Sequence, residues 1–94
     1  MDMDNRITKE KIEKYRAITE KALRIARKKV ARGKEKEARE ITEMVSNYLS
    51  DSEYFEKNKD YVNAFAAINY SHGWLDAGAR LKIFNVKDSK LFTV

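Results

Sequence analysis

The sequence predicts an all-α fold: a three-helix antiparallel bundle with an extended C-terminal tail packed on the body, in one domain over residues 1–94. Three observations carry this. The chain has no proline and only three glycines among 94 residues, so it holds few of the residues that interrupt long helices. Apolar residues recur at helical spacing through three long stretches. The breaks between those stretches fall at Gly33 and at Asn58–Asp60, and connections that short lay successive helices side by side and antiparallel.

The first helix is expected over about residues 5–32. Ile7, Ile12, Tyr15, Ile18, Ala22, Ile25, Ala26 and Val30 give it an amphipathic face, and Gly33 ends it. The second, about 34–57, has a more regular seam of Ala38, Ile41, Val45, Tyr48, Ser52 and Phe55 at alternating steps of three and four. Asn58 suits the left-handed position after it, and Asp60 suits the cap of the next helix. The third, about 60–82, is apolar on most sides. Tyr61, Phe65, Ile68, His72, Leu75 and Ala79 form one face; Tyr70, Trp74, Ala77 and Leu81 form another; Ala64, Ala67, Ser71 and Gly78 make a strip of small residues. Such a helix must be covered nearly all round, by its own chain or by another. In the tail, 83–94, Phe84, Val86, Leu91, Phe92 and Val94 surround a polar "KDSK" turn, so the tail is expected to fold back on the helices.

Composition narrows the function classes. With 43% hydrophobic and 37% charged residues, the chain reads as a soluble globular domain. No apolar run approaches a membrane span of roughly 18 residues, and "MDMDNRITKEK" lacks the apolar core of a secretory signal; a cytoplasmic location is the expectation. The absence of cysteine excludes disulfides, thiol catalysis and zinc–thiolate sites. The net charge of +5 is uneven: residues 1–36 hold 13 Lys/Arg against 6 Asp/Glu, and the rest hold 7 against 9.

The stretch "NYSHGWLDAGAR", residues 69–80, gathers the one histidine, the one tryptophan and two of the glycines. Glycine inside a helix costs about 1 kcal/mol relative to alanine, so Gly73 and Gly78 predict close approach of a neighbouring helix or the tail, with a hinge or ligand contact as the alternative. His72, Asp76 and Arg80 follow at i, i+4 steps, beside Asn69. Two ligands at that spacing can hold a metal only if others come from elsewhere, for example Asp51 or Glu56. A histidine satisfied structurally at the edge of an apolar face is the plainer reading, and no metal or cofactor is assigned. Tyr70, Trp74, Ala77 and Leu81 are the better candidates. Trp and Tyr dominate binding hot spots, and burial under the tail is the alternative. The segment from Arg24 to Lys36, with Arg24, Arg27, Lys28, Lys29 and Arg32, is dense enough to follow a phosphate backbone. It has no aromatic on which bases would stack, and cations there also suit a helix C-terminus.

The stretch "NYLSDSEYFEKNKDYVNAFAAINYSHGWLDAGARL", residues 47–81, resembles the signature of the archaeal domain-of-unknown-function family 357, and the ending "LFTV" agrees with it. The resemblance implies a small three-helix bundle of the albumin-binding-domain-like class, and no activity, substrate or cofactor. The family pattern falls on Asp51, Asn69, His72, Gly73, Trp74 and Asp76 without attaching a role to any. It also has glycine where Lys82 stands and where Asn58 or Lys59 stands. A fainter likeness, of "NKDYVNAFAAINY" to helical HEPN domains, lacks the arginine that precedes the histidine in their nucleases.

The leading expectation is therefore a noncatalytic interaction or self-association module. Its partner would be a protein or a second copy of the chain, with no membrane. The alternatives are a nucleic-acid-associated protein using residues 24–36, and an enzyme or metal site on the His72/Asp76 line.

Overall fold

The computed structural model describes residues 6–92. It contains α1 (Lys9–Arg27), α2 (Glu35–Lys57) and α3 (Tyr61–Arg80), packed as an antiparallel three-helix bundle. No strand occurs among the described residues. An isolated antiparallel bridge joins Val30 to Phe84. Val94 and the first expected helical residue, Asn5, lie outside the described residues.

Thr8 caps α1 by accepting from the Lys11 backbone N–H at 3.1 Å, which satisfies one of the free donors at the helix start. The far end of α1 corrects the expectation of a helix to residue 32. The chain leaves the helix at Arg27, before the glycine, because the next residues bond to the tail instead. Ala31 N–H donates to the Ile83 carbonyl at 2.8 Å, and Asn85 N–H donates to the Lys29 carbonyl at 2.6 Å. Val30, β-branched and a poor helix former, sits in that bridge. Gly33, at φ 85°, turns the chain into α2, a backbone conformation that favours glycine.

α2 and α3 end in the same way. After α2, Asp60 N–H reaches the Phe55 carbonyl and Lys59 N–H the Glu56 carbonyl; after α3, Ile83 N–H reaches Gly78 and Lys82 N–H reaches Ala79. Both are Schellman closures, whose left-handed residue is usually glycine. Here it is Lys59 and Lys82, each at φ 60°. Asn58, expected in that position, has φ −89°. Its side-chain amide donates instead to the Tyr54 carbonyl. Asp60 caps α3 as expected, accepting from the Asn63 N–H at 3.2 Å.

The core forms two apolar clusters. One contains Leu23, Val45, Leu75 and the tail residues Phe84 and Phe92; the other is built on Ile12, Ala64 and Ile68. The tail is thus packed on its own chain. The buried face of α1 runs through Ile12, Thr19, Ala22, Leu23 and Ala26. It is rotated from the predicted face, leaving Tyr15 exposed and Ile18 and Ile25 half-buried. α2 follows its predicted seam, except that Leu49 is buried where Tyr48 was expected.

Between the clusters lies a polar layer drawn from all three helices. Arg16 Nη1 meets Glu56 Oε1 at 2.6 Å, and Arg16 Nε donates to Ser52 Oγ at 3.1 Å. Ser52 in turn donates to the Leu49 carbonyl. Thr19 and His72 complete the layer at 3.1 Å. The Ser71 hydroxyl donates to the Val45 carbonyl at 3.2 Å, a contact possible because small residues of α3 let α2 come close.

Candidate functional site

Of the two helical glycines, only Gly78 serves the close approach that both predicted. A Cβ on Gly78 would stand 2.5 Å from Phe84 Cε2 and 3.2 Å from Ile41 Cδ1, whereas one on Gly73 would meet nothing within 4 Å. The tail folds its phenylalanine onto the bare backbone of the first. The second opens to solvent.

The polar residues around Gly73 do not converge on one point. His72 is half-buried between α1 and the tail. Its Nε2 lies 2.7 Å from the Leu91 carbonyl, and its Nδ1 lies 3.1 Å from Thr19 Oγ1. A carbonyl only accepts, so Nε2 carries the proton and donates; in the neutral ring, Nδ1 then accepts from the threonine hydroxyl. Both nitrogens are engaged, Nε2 with the tail and Nδ1 with α1, which is the structural role the sequence left as the plainer reading. Asp76 Oδ1 is 3.8 Å from Nε2, too far for a hydrogen bond. Asn69, His72, Gly73 and Asp76 share a cleft of about 410 Å³ with Thr19 and Lys90. Arg80 lies instead on a different cleft with Lys82 and Lys87. Asp51 is exposed on α2, and Glu56 is held by Arg16. Among the described residues, no three His, Cys, Asp or Glu side chains are grouped to hold a metal ion.

The other face of α3 is where apolar surface stays uncovered. Tyr70 is 62% exposed, Trp74 40% and Leu81 68%, and Ala77 is exposed between them. Residues 83–92 of the tail run past His72 on the opposite side, and among the described residues nothing buries Tyr70, Trp74 or Leu81. The stripe is longer than the sequence suggested. Val62, 68% exposed, extends it to the first turn of α3, four residues before the half-buried Ala66 and eight before Tyr70. Spacing alone could have placed Val62 there. The Tyr70 ring leans on Tyr48 of α2, with centroids 5.6 Å apart. Asn69, Tyr70, Gly73, Trp74 and Ala77 line a shallow depression of about 370 Å³.

Arg24, Arg27, Lys28, Lys29 and Arg32 are all exposed. The first two occupy the last turn of α1, and the other three the connection to α2. Arg27 Nη2 donates to Ser46 Oγ at 3.0 Å.

Arg16, Ser52 and Glu56 are the polar residues that sequence reasoning missed as a group. Arg16 stands in the α1 register Ile12, Arg16, Thr19, Leu23, Ala26, so an alternating three–four count started at Ile12 would have found it.

No helix among the described residues is long and apolar enough to cross a membrane. Comparison with curated proteins and with solved structures gives no match. A family model does match, over residues 14–84, a span that takes in nearly all of the bundle, both Schellman turns and the phenylalanine that covers Gly78. The chain belongs to the family described as Protein of unknown function (DUF357).

Proposed function

We propose that this small helical protein is a noncatalytic interaction module, which joins a protein partner or a second copy of itself through the α3 stripe of Val62, Tyr70, Trp74, Ala77 and Leu81. The observation that carries the reading is the exposure of Trp74 and Tyr70 beside a glycine whose missing side chain would meet nothing within 4 Å among the described residues. Apolar surface left in water forgoes about 25 cal/mol for each Å², and tryptophan and tyrosine supply much of the binding energy at interfaces. An interior glycine whose open side meets no described residue still carries a helix penalty of about 1 kcal/mol. A backbone or ring seated on Gly73 by a partner would offset it, which is the ligand-contact alternative in macromolecular form.

Trp74→Glu tests the reading. Sedimentation velocity over a range of concentrations, together with capture of partners from native cells, should show the wild type associated. The variant, with helical circular dichroism unchanged, should be weakened by about 2 kcal/mol or more, as for a central aromatic anchor. A folded variant with the wild-type mass and the wild-type partners would rule the stripe out.

A further inference from the structure

The antiparallel bridge between Val30 and Phe84 does more than tie down the tail. It joins two segments, residues 24–34 and 79–87, that contain no aspartate or glutamate at all. The first holds Arg24, Arg27, Lys28, Lys29, Arg32 and Lys34, and the second holds Arg80, Lys82 and Lys87; every one of these side chains is exposed. The antiparallel order places the ends of α1 and α3 and the start of α2 at the same end of the bundle. Over residues 24–37 and 79–87, that end carries 10 Lys/Arg against 2 Asp/Glu, while the rest of the chain carries 10 against 13. The basic run visible in the sequence is thus only part of a larger patch that the fold assembles.

We propose that this end of the bundle is a docking ridge for the phosphate backbone of a nucleic-acid duplex. The first alternative explanation is that the cations serve the helix ends. The C-termini of α1 and α3 present about half a negative charge each, and Arg24, Arg27 and Arg80 already stand in those last turns. Lys28, Lys29, Arg32, Lys34, Lys82 and Lys87 are surplus to that need. The two acids within those bounds are also accounted for, and Asp88, exposed next to Lys87, accepts from the Lys90 N–H at 2.9 Å. Glu35 accepts from the Gly33 N–H at 3.0 Å, and Glu35 and Glu37 face the positive start of α2. A cleft of about 870 Å³, lined by Arg80, Lys82, Asn85 and Lys87, opens along the ridge. The duplex is chosen over a single strand for a specific reason: the one aromatic residue within the two segments, Phe84, is 1% exposed, so the segments themselves offer no ring for the stacking that holds unpaired bases. Contacts with phosphates alone fix position without reading sequence. The ridge borders the α3 stripe at Leu81, between Arg80 and Lys82, but the two are tested by different substitutions, Trp74 for the stripe and the lysine pairs for the ridge.

Fluorescence anisotropy with the full chain and labelled duplexes of DNA and of RNA tests this between about 50 and 200 mM salt. Binding of at least one duplex is expected, with log affinity falling linearly against log salt. The pair Lys82→Gln and Lys87→Gln should reduce that slope by roughly 0.9 for each phosphate that is no longer neutralised, and so should Lys28→Gln with Lys29→Gln, although the two pairs are far apart in sequence. Lys9→Gln with Lys57→Gln, at the opposite end of the bundle, should leave the slope unchanged; circular dichroism verifies that each variant is folded. The proposal is overturned by an absence of binding at the lowest salt, by an equal loss from the Lys9 and Lys57 pair, by an unchanged slope for the Lys82 and Lys87 pair, or by tighter binding of the corresponding single strand.

Discussion

At the scale of single residues, Gly73 and Gly78 share a helix and a residue type but answer different constraints. Gly78→Ala forces a methyl group into the Phe84 ring and is expected to cost about 1–3 kcal/mol, as overpacking in a tight core does. Gly73→Ala meets open space and should stabilise the isolated chain by up to about 1 kcal/mol, the difference in helix propensity. Thermal unfolding of the two variants should therefore move in opposite directions, and a lower melting temperature for Gly73→Ala would contradict this account. The sequence shows that two glycines are out of place in a helix. It does not show which one is covered, because that depends on where the tail lands. Lys82 holds a left-handed backbone at φ 60°, where a side chain costs roughly 1–2 kcal/mol. Lys82→Gly should raise the unfolding free energy by about 1 kcal/mol after the added entropy of the unfolded glycine is subtracted, read as a higher urea midpoint. The family resemblance pointed at this position, and the Schellman closure supplies the reason.

Among the helices, the polar layer decides how α1 sits on its neighbours. Arg16 and Glu56 are largely shielded, with side chains 12% and 15% exposed, so removing one partner leaves the other stranded. Glu56→Ala is expected to cost about 3 kcal/mol, whereas replacing both residues, Arg16→Met with Glu56→Leu, should cost much less or stabilise. Urea titration of the two variants checks the order. A double replacement as harmful as the single one would mean that the pair acts through something other than buried charge. Arg16 Nη2 is buried without a hydrogen-bond partner among the described residues, which adds to the cost of keeping the pair. Helix number, order and the α2 seam were legible in the sequence because alternating steps of three and four leave little choice of face. The α1 face was not, since Arg16 and Thr19 occupy buried positions that apolar periodicity passes over. Pairing the unexpected arginine with Ser52 and Glu56 requires knowing the height at which α1 meets α2.

For the whole molecule, the sequence made the exposed stripe and the basic run visible as patterns but could not say whether either stayed exposed. Tyr70 and Trp74 look alike whether the tail covers them or turns the other way. The tail turns the other way because Phe84 and Phe92 find the gap over Gly78 and the first core cluster, while the Leu91 carbonyl finds His72. Lys82 and Lys87 likewise belong to no basic run until the bridge sets them beside Lys29. That bridge joins residue 30 to residue 84, with all of α2 and α3 between them, and so has a bearing on the order in which the chain assembles. Pairing of distant residues costs loop-closure entropy before it returns anything, whereas α2 and α3 are sequence neighbours and share the largest interface in the bundle. The α2–α3 hairpin is expected to form the folding nucleus, and the bridge to close late. Phe84→Leu should then speed unfolding and leave the refolding rate nearly unchanged. In a chevron plot a slowed refolding limb would place the closure before the barrier, and the tail would then be a guide to the bundle rather than its latch.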